Sequence, residues 1–350
     1  MTKQKSIVEF EEIYSRKQVA VSERFYVKLK RQHITIVSAP GKGVLITGCE
    51  SPIAWYLAKK LDDLGFTVYA GFNVPVEDSE EAKILKEETS GRMKILHVDV
   101  TSEKTLLEAA LFISEHLPYG AQGLWALMHC AHWIALGELE WIPFGVLRKS
   151  LDLNLLGKND SYFQSRYNKT LFLKREGVAR LTQLMLPLIR RANGRIVFLT
   201  SGLNKVPAPV RGIQCATQAA VESFAACLRQ EMRPRGVDVS VVAAGEFSPG
   251  NAWLNETELR EQAKEMWSKL STEQKKTYGE DYYEAAMTSV DKYSKEAADI
   301  QPTLRVLIDA VTRTFPMARY TPVTPHEKFQ IFFAEHLAPS LYELIYGTKK

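Results

Sequence analysis

Three polar side chains stand at regular spacing after an apolar stretch in the middle of the chain. Ser201 closes the segment RIVFLTS, Gln214 lies thirteen residues further on, and Gln218 lies four residues after that. A serine hydroxyl can hold a substrate oxygen, but a carboxamide does not titrate, so neither glutamine can act as a general acid or base. Cys215 is a poor substitute, because neighbouring side chains on a helix point about 100° apart. The segment therefore offers binding groups but no group for proton transfer.

A second group of polar residues, His129, Cys130 and His132, follows another apolar stretch. Imidazole and thiolate bind zinc, but a zinc site needs more ligands than these. No further cluster of histidine, cysteine or carboxylate residues stands at a typical spacing, so we expect no metal. Two interpretations remain for these residues, namely polar side chains that face a ligand and plain divergence of a structural turn.

The composition is that of an ordinary soluble globular protein. The 350 residues carry a net charge of +4, and no cluster of lysine and arginine alternates with aromatic residues, so we expect no nucleic-acid partner. The four cysteines lack paired short spacing, which indicates free thiols in a reducing compartment. The sequence contains no apolar run of about 18 residues, so we expect no transmembrane helix. We expect a cytoplasmic location, with a peripheral position on the endoplasmic reticulum membrane as the alternative.

Apolar runs alternate with amphipathic stretches through most of the chain. The runs predict buried strands at 43–48, 66–72, 93–100, 124–131, 195–201 and 237–245. The stretches between them predict helices at 53–64, 80–89, 102–117, in a long region that ends near 191, and at 214–232. Because such alternation is typical of a parallel sheet covered on both faces, we predict an α/β fold with a doubly wound parallel sheet (Rossmann) and a helical C-terminal cap. A sheet of this kind binds ligands at the carboxyl ends of its strands, where the polar residues above fall.

The chain divides into an N-terminal extension at 1–42, a core at 43–249, and cap and C-terminal helices at 250–350. The last portion is charged and helical over 250–300, has a further helix at 303–312 and crosses irregularly at 316–325. Its aromatic and apolar residues either line an apolar pocket or belong to the core; they are Phe247, Trp253, Leu254, Met266 and Trp267. The basic segment at 16–31 is a solvated helix face or a contact with anionic lipid.

An insertion at 158–177 interrupts one long helix that LDLNLLG and GVARLTQLMLPLIRR would otherwise form. The insertion is polar and lacks a helical period. It is either an inserted loop that alters subunit assembly or a translated, unspliced intron whose removal restores a single glycine.

Several motifs resemble the short-chain dehydrogenase/reductase family. They are TGCESPIA (47–54), Asp99-Val100, LWALMHCAHWIALGELEW (124–141), LDLNLLG (151–157), the Ser201 segment and VSVVAAGEF (239–247). KEMWSKL, KKTYGEDYY, ARYTPVTP and HLAPSLYELIY further resemble the branch of retinol, hydroxysteroid and 3-hydroxybutyrate dehydrogenases. The resemblance implies an NAD- or NADP-linked oxidoreductase for the hydroxyl or ketone of a hydrophobic, steroid- or retinoid-like substrate. It also implies a role in steroid metabolism, including that of ecdysteroids, and a homodimer.

The nucleotide-binding loop departs from the family pattern TGxxxGxG. This chain keeps Thr47 and Gly48 but has Pro52 and Ala54 in place of the later glycines. Proline has no N–H, and the alanine methyl occupies space at a close approach, so we expect weakened cofactor binding. The alternatives are intact binding, with Pro52 in the first helical turn where proline is tolerated, and no binding.

Three further positions are implied to contact the cofactor. Asp99 and Val100 match the family residues at the adenine, although an aspartate in this place is also typical of a helix start. Ala131 stands in the turn that the family writes NNAG. After the second strand, Asn73 stands where an acidic residue would bind the ribose, and no arginine follows, so the sequence does not determine the choice between NAD and NADP.

The family mechanism uses four side chains, of which this chain keeps two. A tyrosine exchanges a proton with the substrate while hydride passes to or from nicotinamide, a lysine lowers the tyrosine pKa, a serine orients the substrate and an asparagine anchors a water relay. Asn154 and Ser201 match, whereas Gln214 and Gln218 replace the tyrosine and the lysine. Loss of such an acid–base group typically costs about 10²–10⁴-fold in rate. The chain is therefore either a divergent oxidoreductase that uses substrate or water for proton transfer, or a non-catalytic ligand-binding pseudoenzyme.

Overall fold

The computed structural model describes residues 35–131, 133–156, 177–245, 256–295 and 299–346. They divide into two compact units. In the smaller unit, residues 35–38 and Thr312–Phe315 are joined by an antiparallel bridge between Ile36 and Arg313. The larger unit holds the sheet and all the predicted site residues that the structure describes.

In the described part of the larger unit, seven parallel strands form one sheet. The strands are β1 (Gly43–Thr47), β2 (Thr67–Phe72), β3 (Lys94–His97), β4 (Ala126–His129), β5 (Arg195–Ser201), β6 (Asp238–Ala244) and β7 (Arg319–Tyr320). Their order across the sheet is β3-β2-β1-β4-β5-β6-β7. The chain builds the sheet outward from β1 on one side and then from β4 on the other, which confirms the predicted doubly wound α/β fold.

Helices connect the strands and cover the sheet. They are α1 (Pro52–Asp63), α2 (Glu80–Glu87), α3 (Glu103–Glu115), α4 (Phe144–Leu151), α5 (Val178–Arg191) and α6 (Gly212–Met232). A π-helical turn, Asp152–Leu156, continues α4. The C-terminal portion adds α7 (Glu256–Ser268), α8 (Thr272–Tyr278), α9 (Glu280–Lys295), α10 (Gln301–Thr312), α11 (Pro325–His336) and α12 (Pro339–Tyr346). None of these helices is both long and apolar enough to cross a membrane.

The apolar runs become strands because both faces of the sheet are covered. Every residue of β1 and β4 is buried. Helix α1 contributes Ile53, Ala54, Leu57 and Leu61 to this core, at the spacing that places them on one helix face. The strand register aligns the carboxyl ends, because Thr47 pairs with His129 and Ser201 pairs with Ala244. The turns that follow β1, β4, β5 and β6 therefore meet at one edge of the sheet.

The structure corrects one expectation in the C-terminal portion and decides another. The predicted irregular crossing at 316–325 contains β7, which pairs with β6 through Arg319 and Tyr320. A buried Tyr320 and the unpaired edge of β6 favour this pairing. Met266 and Trp267 belong to the core, where Trp267 packs edge-on against Trp141 with ring centroids 5.1 Å apart. Phe247, Trp253, Leu254, the N-terminal residues 1–34 and insertion residues 158–176 lie outside the described residues.

A buried arginine attaches α10 to the opposite edge of the sheet. Arg195 is the first residue of β5. Its Nη1 donates to the main-chain oxygens of Ala310 and Val311, each at 3.0 Å. Its guanidinium lies 4.3 Å from the ring centroid of Trp125, whose Nε1 donates to Val311. A cation at a helix C-terminus also interacts favourably with the helix dipole.

Candidate functional site

Ser201, Gln214 and Gln218 meet at the end of β5. The main-chain N–H of Ser201 donates to Gln218 Oε1 at 3.3 Å. The Ser201 hydroxyl oxygen accepts from the N–H of Leu203 at 3.3 Å and so caps the short helix Gly202–Lys205. Because this bond uses only the oxygen, the serine retains a proton that it can donate to another group. The structure thus brings together the three side chains that the sequence placed at one site.

These residues line a small recess that opens to solvent. Its lining is Ser201, Leu203, Asn204, Arg211, Gln214, Cys215 and Gln218. Cys215, which follows Gln214 on α6, also lines this recess. Burial raises the pKa of the Cys215 thiol, against an opposing effect of Arg211. Of the described lining residues, only these two are ionisable, and neither is a phenol, an imidazole or a carboxylate.

Asn154 holds the connection after β4 in place. Its Oδ1 accepts from the N–H of Trp133 at 2.7 Å, and its Nδ2 donates to the oxygen of Trp133 at 2.8 Å. Nδ2 also lies 3.4 Å from the hydroxyl of Thr217, which donates to the oxygen of Gln214. These bonds give the side chain a positioning role between the π-helical turn and α6. Its predicted place in a water relay stays a prediction.

The turn after β1 is fixed against the end of β4. Gly48 has φ +77°, and a Cβ there would lie 2.7 Å from Ala131 Cα, so no other residue fits without movement of the backbone. The Thr47 hydroxyl lies 3.4 Å from the oxygen of Met128 and 3.4 Å from the N–H of Ala131. Thr47, Gly48 and Ala131 therefore form one tight contact at the predicted nucleotide site.

Pro52 and Ala54 occupy positions that leave the start of α1 open. Pro52 is exposed in the first turn of α1, as the alternative interpretation expected. Ala54 is buried on the face of α1 that packs on the sheet, so its methyl adds to that packing. No side chain caps the start of α1, since the Ser51 hydroxyl donates to the oxygen of Gly48 at 2.7 Å. An uncapped helix N-terminus attracts phosphate groups.

Asp99 forms the turn that starts α3. Its Oδ1 accepts from the N–H and the hydroxyl of Thr101 at 2.8 and 2.7 Å. This is the helix-start arrangement that the sequence left open beside an adenine contact. Val100 is buried and packs in a cluster with Ala131 and Trp133. Both predicted adenine residues thus lie at the same edge of the sheet as the turn after β1.

His129 is turned into the core. Its Nε2 lies 2.9 Å from the hydroxyl of Thr182, and its ring stacks on Phe198. Because Thr182 donates its single proton to the oxygen of Val178 at 2.7 Å, its oxygen must accept a proton from Nε2. Burial lowers the pKa of His129 to about 3, so the imidazole is neutral. This packing favours plain divergence over a side chain that faces a ligand.

Burial likewise raises the pKa of Cys130 to about 12. Within the described ranges, no group of three or more histidine, cysteine or carboxylate side chains is placed to hold a metal ion. His132 lies outside these ranges.

The sequence profile of short chain dehydrogenases matches residues 42–259. The chain belongs to this family. The fold and the tight contact between Gly48 and Ala131 agree with that membership, which confirms the resemblance found in the motifs.

Curated relatives extend the similarity over most of the chain. Mitochondrial D-beta-hydroxybutyrate dehydrogenase of Bos taurus is 29% identical over 336 residues, which are 95% of this chain and 90% of the relative. Human (Homo sapiens) 17-beta-hydroxysteroid dehydrogenase type 6 is 30% identical over 296 residues, which are 83% of each chain. These two relatives are dehydrogenases of a hydroxy acid and of a hydroxysteroid by name.

Solved structures share the fold at low sequence identity. A short-chain dehydrogenase from Streptomyces avermitilis superposes with a TM-score of 0.62 at 19% identity and covers 88% of this chain and 96% of its own. A short chain dehydrogenase from Burkholderia cenocepacia in complex with NADP has a TM-score of 0.57 at 15% identity, over 89% and 99% of the two chains.

Glu50 is a member of this site that the sequence did not single out. It lies in the turn between β1 and α1, and both of its carboxylate oxygens are buried without a hydrogen bond of good geometry to any described residue. Burial raises its pKa to about 7; the N–H groups of Glu50 and Asn73 oppose the rise, and the carboxylates of Asp99 and Glu81 add to it. The sequence does show an acidic residue inside the predicted nucleotide-binding loop. Its burial and its neighbours become visible only in the fold.

Proposed function

We propose that this short-chain dehydrogenase protein binds a nicotinamide dinucleotide and a hydrophobic alcohol or ketone but lacks rapid proton transfer between them. One observation carries the proposal, namely the bond from the Ser201 N–H to Gln218 Oε1 with Gln214 buried beside it. The two carboxamides stand where the family has its tyrosine and lysine, and a carboxamide neither gives nor takes a proton near neutral pH. A ligand-binding role, as a carrier or a regulated partner, fits this arrangement.

The described residues suit the nucleotide. The turn at Gly48 leaves room for a close approach, the uncapped start of α1 offers N–H groups to the pyrophosphate, and Glu50 offers acceptors to the ribose. When bound, the nicotinamide supplies a hydride donor or acceptor. We keep weakened binding as the expectation, because Pro52 contributes no N–H to the pyrophosphate.

A second candidate function is slow oxidoreduction, which the Ser201 hydroxyl favours. Its proton stays available for a ligand oxygen, so Ser201 can orient an alcohol or ketone while solvent water supplies or removes the proton. The relatives are named for a hydroxybutyrate and a hydroxysteroid, and we therefore propose hydroxysteroids, including ecdysteroid precursors, and retinoids as the ligand class.

The proposed cellular state is a homodimer in the cytoplasm or at the surface of the endoplasmic reticulum, as the family resemblance implies. Light scattering on the purified protein and fractionation of cells that express it test these two points.

Reintroducing the family side chains tests the catalytic proposal. The double variant Gln214→Tyr with Gln218→Lys restores both groups, and Gln214→Phe with Gln218→Lys is the matched control without a phenol. Hydroxysteroids, retinol and 3-hydroxybutyrate serve as substrates with NAD and NADP, and nicotinamide fluorescence follows hydride transfer. We expect at least about a 10²-fold gain from the tyrosine variant and none from the control.

The outcomes separate the two candidates. If the unaltered chain already turns over at the rate of the tyrosine variant, it is an oxidoreductase with another proton path. If neither variant gains activity although both bind the nucleotide, the recess does not orient an alcohol for hydride transfer. The lysine cannot accept from the Ser201 N–H, so the unfolding free energy of each variant should fall by about 1 kcal/mol.

A further inference from the structure

The turn before α6 is held in a strained conformation beside the recess. Val210 has φ +59°, a left-handed conformation that is unusual for a β-branched residue. Its oxygen accepts from the N–H of Gly137 at 2.8 Å, which attaches the turn to the connection after β4. Such strain persists only where the surrounding structure imposes it, and it is concentrated at ligand sites. The residue that this turn holds beside the recess is Arg211, at the start of α6.

Arg211 gives the recess a positive charge. It lines the recess and is only half-buried, so a ligand can reach it. Burial raises the pKa of the Cys215 thiol and the guanidinium of Arg211 opposes that rise, which places the guanidinium close to the thiol. Because the pKa is raised, the thiol is neutral at pH 7, and no described lining residue is a carboxylate. Lys205, a cation on the preceding short helix, pairs with Glu335 instead.

The groups beside Arg211 offer hydrogen-bond donors. The Ser201 hydroxyl retains its proton, because only its oxygen is used by the N–H of Leu203. Gln218 uses its oxygen for the N–H of Ser201, so the group that it can still offer is an N–H₂ donor. The start of α6, which no described side chain caps, adds the positive end of a helix dipole. Donors around a positive charge suit a ligand group that accepts hydrogen bonds and is negative.

A carboxylate and a sulfate are both groups of this kind. We propose that Arg211 binds an anionic oxygen group of the ligand and makes the recess selective for ligands that carry one. The guanidinium is planar and has five N–H donors, so it can bind two oxygens of a ligand in addition to its contacts within the fold. With Gln218 in place of the family lysine, Arg211 is the one described lining residue that is charged at neutral pH. This inference rests on the ligand-binding part of the proposed function.

Calorimetric titration of the full chain with matched pairs of ligands tests the inference. The pairs are retinoate and retinol, a hydroxysteroid sulfate and the free hydroxysteroid, and 3-hydroxybutyrate and its methyl ester. We expect the anionic member of at least one pair to bind at least about tenfold more tightly, and that pair shows which anion the recess takes.

Three variants of the chain assign the preference to one side chain. Arg211→Gln removes the charge and should abolish the preference. Arg211→Lys keeps the charge without the planar fork and should retain part of it. Arg191→Gln, at the exposed C-terminal end of α5, is the matched control and should leave the preference unchanged.

A second readout locates the bound ligand. Cys215 lines the same recess and is half-buried, whereas Cys227 is exposed and serves as an internal control. Alkylation of each thiol by iodoacetamide is followed by mass spectrometry. With the anionic ligand at about ten times its dissociation constant, alkylation of Cys215 should slow by about tenfold and that of Cys227 should not change.

The outcomes separate this inference from the proposed function. If the neutral members bind as tightly as the anionic ones, the inference is overturned while the proposed ligand site stands. A preference that Arg211→Gln leaves intact, or a Cys215 that a saturating ligand does not protect, places the anion elsewhere and also overturns it. If none of these compounds binds, the ligand-binding part of the proposed function fails as well. A preference lost in Arg211→Gln but kept in Arg191→Gln, with protection of Cys215 lost in parallel, supports the inference.

Discussion

Removing the charge of Glu50 should stabilise the folded chain, increasingly so as the pH rises. The unfolded chain ionises this carboxyl near the ordinary value of 4.5, whereas burial holds the folded pKa at about 7. The stability that depends on this group is therefore complete below pH 4.5 and is lost as the pH rises through 7. The difference between the two pKa values corresponds to roughly 3 kcal/mol, and partial exposure reduces the expected effect to about 2 kcal/mol at pH 8.

Urea unfolding of the unaltered chain and of Glu50→Gln at pH 5 and pH 8 measures this effect. The difference in unfolding free energy between the two proteins should grow by about 2 kcal/mol in favour of the variant from the lower to the higher pH. Glu115→Gln controls for the loss of an exposed carboxylate. A difference that stays constant would show that the carboxylate is solvated in the folded state and would refute the reasoning. If the prediction holds, the buried carboxylate of Glu50 lowers the stability of the fold at neutral pH, which is the cost expected of a functional residue.

Two further predictions concern buried side chains away from the recess. His129 stays neutral in the folded chain because burial lowers its pKa to about 3, so its stability contribution is lost as the pH falls below 6.5. His129→Phe should therefore reduce the loss of unfolding free energy between pH 7 and pH 5 by about 2 kcal/mol, while Thr182→Val, which removes the hydrogen bond but not the burial, should preserve that loss. Arg195→Met should lower the unfolding free energy by about 2–4 kcal/mol and speed hydrogen exchange in α10, since two charge-assisted bonds to its last carbonyls are removed; a change below about 1 kcal/mol would contradict this role.

The sheet could be predicted from the sequence because its signal is local. Each central strand is a continuous apolar run, and each run is separated from the next by an amphipathic stretch, so the order of elements fixes a parallel, doubly wound arrangement. The two-residue strand β7 could not be predicted in this way. It forms because β6 offers an unpaired edge, and that edge exists only after the sheet is assembled.

The candidate site likewise contains residues that the sequence could predict and others that it could not. Ser201, Gln214 and Gln218 could be placed together from the sequence. Ser201 ends a strand, and the two glutamines lie one turn apart on the helix that follows it. Glu50 could not be recognised, because its acidic neighbours come from other elements, Asp99 from the turn after β3 and Glu81 from α2. Helical spacing gave the direction of Cys215 around α6 but not the extent of the recess, which Cys215 also lines.

Nucleotide binding and proton transfer depend on different properties of the chain, so one of them can change without the other. The nucleotide half is built from main-chain geometry, namely the positive φ of Gly48, its contact with Ala131 and the open start of α1. Packing of the whole core maintains that geometry, so individual side chains there can vary. Proton transfer needs particular titratable side chains, and replacing them need not disturb the core. Gln218 illustrates this, because its carboxamide satisfies the N–H of Ser201 at the end of β5, a bond that a protonated lysine cannot make. If the proposed function holds, the glutamine that replaces the family lysine removes a group needed for proton transfer and also supports the end of β5.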